Sequence, residues 1–145
     1  MIYVNFKKLT DTAIVPTKGS AGAAGYDLYA DEVISVGIPP GATVPIWTGI
    51  ALEIPAGYAG FIFSRSGIAT KRGLRLPNCV GVVDSDYRGN VGVPLHNDTN
   101  VIQMIDPHER IAQLVIMPVP MVQLYEVDEL TKTDRGTGGF GSTGK

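Results

Sequence analysis

What most constrains this chain is a turn that keeps returning. Gly41, Gly57, Gly73 and Gly89 stand sixteen residues apart, and two of these turns, beginning at Ile38 and Ile54, share the pattern Ile-Pro-x-Gly. The residues between them match too poorly for an internal repeat. The spacing instead reads as a rhythm of hairpins of similar length. Short apolar runs separated by Gly/Pro turns predict an all-β sandwich or barrel. Glycine supplies 18 of 145 residues, about 12% against a typical ~7%, and the excess lies in the turns and the C-terminal tail.

One stretch concentrates polar chemistry. Val80, Val82 and Val83 precede it and Val91 and Val93 follow it, all favouring extended backbone. Between them Asp84-Ser85-Asp86-Tyr87-Arg88-Gly89 has turn chemistry. The pattern predicts a β-hairpin with a polar tip, a place where strands can hold a carboxylate against a ligand. Most Asp-rich turns are only turns, because Asp bonds its own backbone. A calcium loop is excluded: Arg88 stands at the fifth loop position, and Leu95 at the twelfth, where a bidentate Glu is needed.

Charge narrows the partners. A net charge of −2 leaves no broad basic field, which argues against nucleic acid. An anionic ligand must be held by a few local cations and backbone N–H groups. Cys79 is the one cysteine, so no intrachain disulfide forms, and a reducing, intracellular setting is expected. With only His96 and His108 besides, a protein zinc site is not expected. No signal peptide or bilayer-spanning apolar run is visible, so a soluble protein is expected.

Along the chain, residues 2–15 read as strand-rich, and the small-residue loop Lys18–Gly25 leads into a strand-like Tyr26-Asp27-Leu28-Tyr29-Ala30. Ser64 or Ser66 is placed to cap one or two helical turns containing Ile68 and Ala69. Such a turn aims backbone N–H groups and Arg65 at an anion, or is simply a solvated Arg beside a short helix. Further strands are predicted at Val91–Asn97, Asn100–Ile105, Ile111–Met117 and Val122–Val127. Gln113, in an otherwise apolar strand, is either an outward-facing residue or a placed donor. Five of the last fifteen residues are glycine, too few large side chains for a core. Yet Arg135, Ser142, Thr143 and Lys145 can bind phosphate, and Phe140 can stack on a flat ring. Gly139–Lys145 matches the start of a P-loop, but no Ser or Thr follows the lysine.

Five stretches, in order, resemble the motifs of the trimeric deoxyuridine triphosphatases (dUTPases): Ala24-Gly25-Tyr26-Asp27-Leu28, Arg65-Ser66-Gly67-Ile68-Ala69, Asn78 through Asn90, Glu109-Arg110-Ile111-Ala112-Gln113-Leu114, and Arg135 through Gly144. Ser64 departs from the proline that many members carry there. The resemblance implies a distorted jelly-roll β-barrel with one short helix and a flexible C-terminal arm, assembled as a homotrimer with shared active sites. It implies a barrel domain at residues 1–130 and a lid at 131–145. The reaction implied is dUTP plus water to dUMP and pyrophosphate with Mg²⁺, which limits uracil in DNA and supplies the thymidylate precursor. Asp84 is implied as general base, and Tyr87 as the residue under the sugar. Asn78 and the backbone of Cys79, Val80 and Gly81 are implied at the uracil edge. Arg65, Ser66, Gly67 and Gln113 are implied on the phosphates, with Asp27 reaching Mg²⁺ through water. Phe140 and Gly141 are implied in the lid over the base, with Arg135, Ser142 and Thr143 on the outer phosphates. The rival readings are a non-catalytic nucleotide-binding or regulatory protein on the same fold, and a dCTP deaminase.

Overall fold

A computed structural model describes residues 1–139, and among them the chain forms eleven strands and one short helix. In order these are β1 (Asn5–Lys8), β2 (Tyr26–Tyr29), β3 (Val36–Ile38), β4 (Thr43–Trp47), β5 (Ile50–Glu53), β6 (Tyr58–Ser64), α1 (Ser66–Arg72), β7 (Leu74–Arg75), β8 (Val80–Val83), β9 (Gly92–Asn97), β10 (Gln103–Ile105) and β11 (Arg110–Pro118). The main sheet runs β2-β11-β6-β8 and a second runs β4-β9-β7. β1 pairs with β5 and β10 with β3, and all the pairings are antiparallel. Alternation sets the core, since successive side chains of a strand face opposite ways. Leu28, Ile62 and Leu114 of the main sheet join Ile46, Val93 and Leu95 of the second in one buried cluster. Truncating any of these to Ala would cost about 2–5 kcal/mol.

The sixteen-residue beat has two physical causes. Gly41, Gly57 and Gly73 adopt left-handed backbone, with φ of 70°, 82° and 62°, a region that suits glycine. Gly89 is required by contact instead: a Cβ there would lie 2.4 Å from Tyr87 Oη.

Four local expectations are corrected. No side chain caps α1; Arg65 is its N-cap residue. Ser64 Oγ is engaged elsewhere, accepting the Leu76 N–H at 3.0 Å. The Asp84 stretch is not a hairpin tip, because β8 pairs with β6 while β9 pairs with β4 and β7. It is a loop that crosses between sheets. Residues 122–127 form no strand, and Val122, Leu124 and Tyr125 stand 78%, 90% and 82% exposed. The strand predicted at Asn100–Ile105 is confined to Gln103–Ile105. No helix of the described residues is long and apolar enough to cross a membrane.

Candidate active site

Where β8 leaves for the second sheet, its path diverges from β9 and a slot of about 250 Å³ opens between them. Ile62 forms its floor, and Asn78, Gly81, Asp84, Tyr87 and Gly92 its walls. Gly81 keeps the wall thin, since a Cβ there would come within 3.2 Å of Ile62 Cβ. Asn78 reaches the slot through a reversal at Cys79. Cys79 has φ of 64°, and the Val80 N–H bonds Asn78 O across it at 2.7 Å. A left-handed non-glycine residue costs on the order of 1–3 kcal/mol and tends to occur at functional sites.

The crossing loop is tied at both ends. Tyr87 N–H returns to Asp84 O at 3.2 Å, and Tyr87 Oη donates to Asn90 O at 3.0 Å, laying the ring across Gly89. Arg88 Nη1 donates to Ser85 O and Tyr87 O at 2.7 and 3.0 Å. At the exit, Val91 O accepts from Thr48 N–H and from the buried Thr48 Oγ1. Asp84 itself is exposed at the mouth. A larger groove, about 440 Å³, lies against β1 and β5. Phe6, Leu9, Ala51 and Leu52 line it beside Asn5, Lys7, Glu53 and Arg88, with no carboxylate–tyrosine pair.

A second polar set forms where β2, β11 and α1 meet. Asp27 accepts from Arg65 Nε at 2.9 Å and from Arg110 Nη1 at 3.2 Å, and Arg65 Nη1 donates to Arg110 O at 3.2 Å. A bulge in β11 makes this possible. Arg110 lies opposite Tyr29 and Ala112 opposite Leu28, leaving Ile111 unmatched. Three residues apart on a regular strand, Arg110 and Gln113 would face opposite ways; one extra residue re-aims them. Gln113 pairs directly across from Asp27, half-buried, with Nε2 on Ser64 O at 3.3 Å. Ser66 and Gly67 are exposed in the first turn of α1, which no side chain caps; Ile68 and Ala69 N–H both return to Arg65 O, while the first N–H groups of a helix have no intrahelical partner.

The two sets are not together in one chain. β6 and β8 pair Phe63 with Val80 and Gly60 with Val83. Arg65 leaves one end of this pair and Asp84 the other, about 20 Å apart at ~3.3 Å per residue. Arg135 is exposed, with Nε on Gly138 O at 2.8 Å. Phe140, Gly141, Ser142 and Thr143 lie outside the described residues. Arg110 stands in the fourth of the five motifs, and the structure adds its side chain to the set around Asp27. The signal was present: consecutive buried Ile111 and Ala112 between polar Arg110 and Gln113 break the period of two.

A β-barrel with a narrow slot, a carboxylate at its mouth and, apart from it, two arginines on one aspartate defines a class, an all-β barrel with a candidate site for a small ligand. A profile of the dUTPase family matches residues 11–144. The deoxyuridine 5'-triphosphate nucleotidohydrolase of Nautilia profundicola is 47% identical over 98% of this chain and 99% of its own length. That of Syntrophotalea carbinolica is 45% identical over 99% and 97%. A solved mutant dUTPase of Staphylococcus bacteriophage 80alpha, with dUpNHpp, superposes with a TM-score of 0.86 at 29% identity, covering 99% of both chains. A mutant dUTPase from phage phi11 of S. aureus, whose structure reveals the coordination of a structural Mg(II) ion, gives 0.78 at 27% identity over 88% of this chain and 97% of that one. The chain belongs to the dUTPase family and is a hydrolase with that family's all-β barrel fold.

Proposed function

We propose that this enzyme hydrolyses dUTP to dUMP and pyrophosphate, and that it does so in sites shared between the subunits of a homotrimer. The observation that carries the reading is the slot between β8 and β9, with Asp84 at its mouth and Asn78, Gly81 and Tyr87 in its walls. Uracil enters it edge-on, meeting Asn78 and the backbone of Cys79, Val80 and Gly81. Thymine's methyl is rejected by clash. Cytosine is rejected more strongly, by mismatched donors and acceptors. The Tyr87 ring, held by Asn90 O, packs under the sugar and leaves no room for a 2′-hydroxyl. Asp84 orients a water and takes its proton as that water attacks the α-phosphorus.

The phosphates are met by Arg65, Ser66, Gly67 and Gln113. About 20 Å of strand separates Arg65 from Asp84 in one chain, whereas a general base must lie within a hydrogen bond or one water of the reacting centre. A neighbouring subunit therefore supplies the phosphate set. The exposed apolar run Met121, Val122, Leu124, Tyr125, Val127 and Leu130 suits a segment covered in such an assembly. Residues 1–130 act as the barrel and 131–145 as its lid. Phe140 and Gly141 cover the base, and Arg135, Ser142 and Thr143 hold the outer phosphates, excluding bulk water.

Among the described residues no group of three or more His, Cys, Asp or Glu forms a metal cluster. Asp27 is the carboxylate within the phosphate set, its two oxygens shared by Arg65 and Arg110. This donor set fits a hard Mg²⁺ that arrives on the triphosphate and keeps its waters, with Asp27 reaching it through one. When bound, the ion would offset charge on the phosphate oxygens. The single cysteine is free and exposed, which suits a reducing, intracellular setting. There the reaction limits uracil in DNA and supplies dUMP for thymidylate synthesis.

The test is pyrophosphate release from dUTP, UTP, dTTP and dCTP in parallel. Release from dUTP alone is expected. Ammonia from dCTP would point to a deaminase, and binding of dUTP without turnover to a regulatory protein.

A further inference from the structure

α1 is fastened at both ends, to β2 and β11 at its start and to β10 and the turn before β11 at its finish, and the second fastening has no role in the site described above. At its N-terminal end Arg65 reaches Arg110 O and Asp27. At its C-terminal end Arg72 spreads one guanidinium over three acceptors: Glu109 Oε1, Gln103 Oε1 and Met104 O. Arg72 and Glu109 are largely shielded, 29% and 25% exposed, so water and salt screen the pair less than a surface pair. Glu109 also holds the turn before β11. Its Oε2 accepts the Asp106 N–H at 3.1 Å, and its carbonyl accepts the Ala30 N–H at 2.8 Å.

Glu109 adjoins Arg110, and the β11 bulge follows at once. The angle at which Arg110 and Gln113 leave the strand is thus set within two peptide units of the Arg72 contact. Arg65, Ser66 and Gly67 sit at the other end of the same two-turn helix, which is too short to flex between its ends. We infer that Arg72, through Glu109, is a positioning residue for triphosphate binding, fixing the donors of α1 against those of β11. Lysine could not replace it fully, since an ammonium lacks the planar fork that meets three acceptors at once. The inference rests on the reading of the site as one for dUTP. It involves the phosphate end alone, because the uracil slot is built on β8 and β9.

That division supplies the test. Arg72→Met, which keeps the aliphatic stem, and Arg72→Lys are compared with wild type by calorimetric binding of dUpNHpp and of deoxyuridine, which has no phosphate, with melting temperatures alongside. Weakening one charge-assisted hydrogen bond to a phosphate costs on the order of ten- to a hundredfold in affinity, and Arg72→Met is expected to lose about that much in dUpNHpp affinity. Its deoxyuridine affinity is expected to hold, and Arg72→Lys to recover part of the loss. Glu109→Gln should match Arg72→Met, and the double variant should be no worse than either. Unchanged dUpNHpp affinity in Arg72→Met would overturn the inference and leave the function standing. Equal losses for both ligands with a lower melting temperature would overturn it as well, showing a purely structural residue. Wild-type protein that binds neither ligand would overturn the dUTP reading and the inference with it.

Discussion

Asp84 and Asp98 are both exposed aspartates beside β-strands, and their surroundings give them different work. Asp98 is held by Arg75 through two hydrogen bonds, at 2.6 and 3.0 Å, with His96 Nε2 at 3.4 Å. The Arg75 hydrogen bond draws the pKa of Asp98 below the ordinary carboxylate value, and Asp98 in turn raises that of Arg75. A carboxyl lowered in the folded state contributes stability above its unfolded pKa, and that contribution is lost as pH falls through the folded value. Asp98→Asn should therefore melt slightly below wild type at neutral pH, by a margin that shrinks with added salt. The gap should close as pH drops below about 4; melting curves across that range check the sign. Among the described residues Asp84 has no comparable clamp, and it lines the slot. Asp84→Asn keeps its shape but cannot take a proton. Turnover should fall by roughly 10²–10⁴-fold while calorimetry still records dUTP binding. Near-wild-type turnover would remove Asp84 from the mechanism.

At the scale of elements, two features place the residues proposed as phosphate donors: the bulge at Ile111 and the short helix that begins without a side-chain cap. A third element is defined by what it lacks. Beyond Pro118 the described chain has neither strand nor helix, and its large apolar side chains face outward. Of the stretch proposed as the lid, the described residues 131–139 add nothing to the buried cluster. Ending the chain after Lys132 should leave the ligand-free melting temperature nearly unchanged and cripple hydrolysis. Full activity in the shortened enzyme, or failure to fold, would each contradict the lid assignment.

For the whole molecule, the decisive distance is the run of strand that separates Arg65 from Asp84. If sites are completed between chains, activity can be rebuilt from two broken ones. One variant carries Asp84→Asn with an intact tail, the other an intact Asp84 without residues 133–145. Each alone should be nearly inactive. Unfolded together in equal amounts and refolded, they mix at random in a closed trimer. About one half times one half, or roughly a quarter of sites, then combine a good Asp84 with a tail. Recovery to about a quarter of wild-type activity is the expected result. Mixed trimers, verified by mass spectrometry, that recover nothing would show that one chain supplies both elements.

The sequence by itself determined the all-β class, the turns at Gly41, Gly57 and Gly73, the short helix after Arg65 and the family. These follow from local causes: left-handed glycines, β-branched runs and motif residues at set spacings. It could not determine that β8 and β9 enter different sheets, because two apolar runs around a polar turn look alike whether they pair with each other or with distant strands. Nor could it show that Ser64 turns inward to Leu76, or that the apolar run at 122–127 finds no partner strand, since pairing needs a free edge that only the assembled barrel offers or withholds. Arg110 and Gln113 came to one face through a bulge whose trace, two buried residues in a row, is visible in the sequence but acquires a direction only against β2 and β6. The linking of Arg72 to Glu109, thirty-seven residues on, was likewise decided by packing, because a guanidinium at the end of a helix selects whichever acceptors the fold brings within its reach.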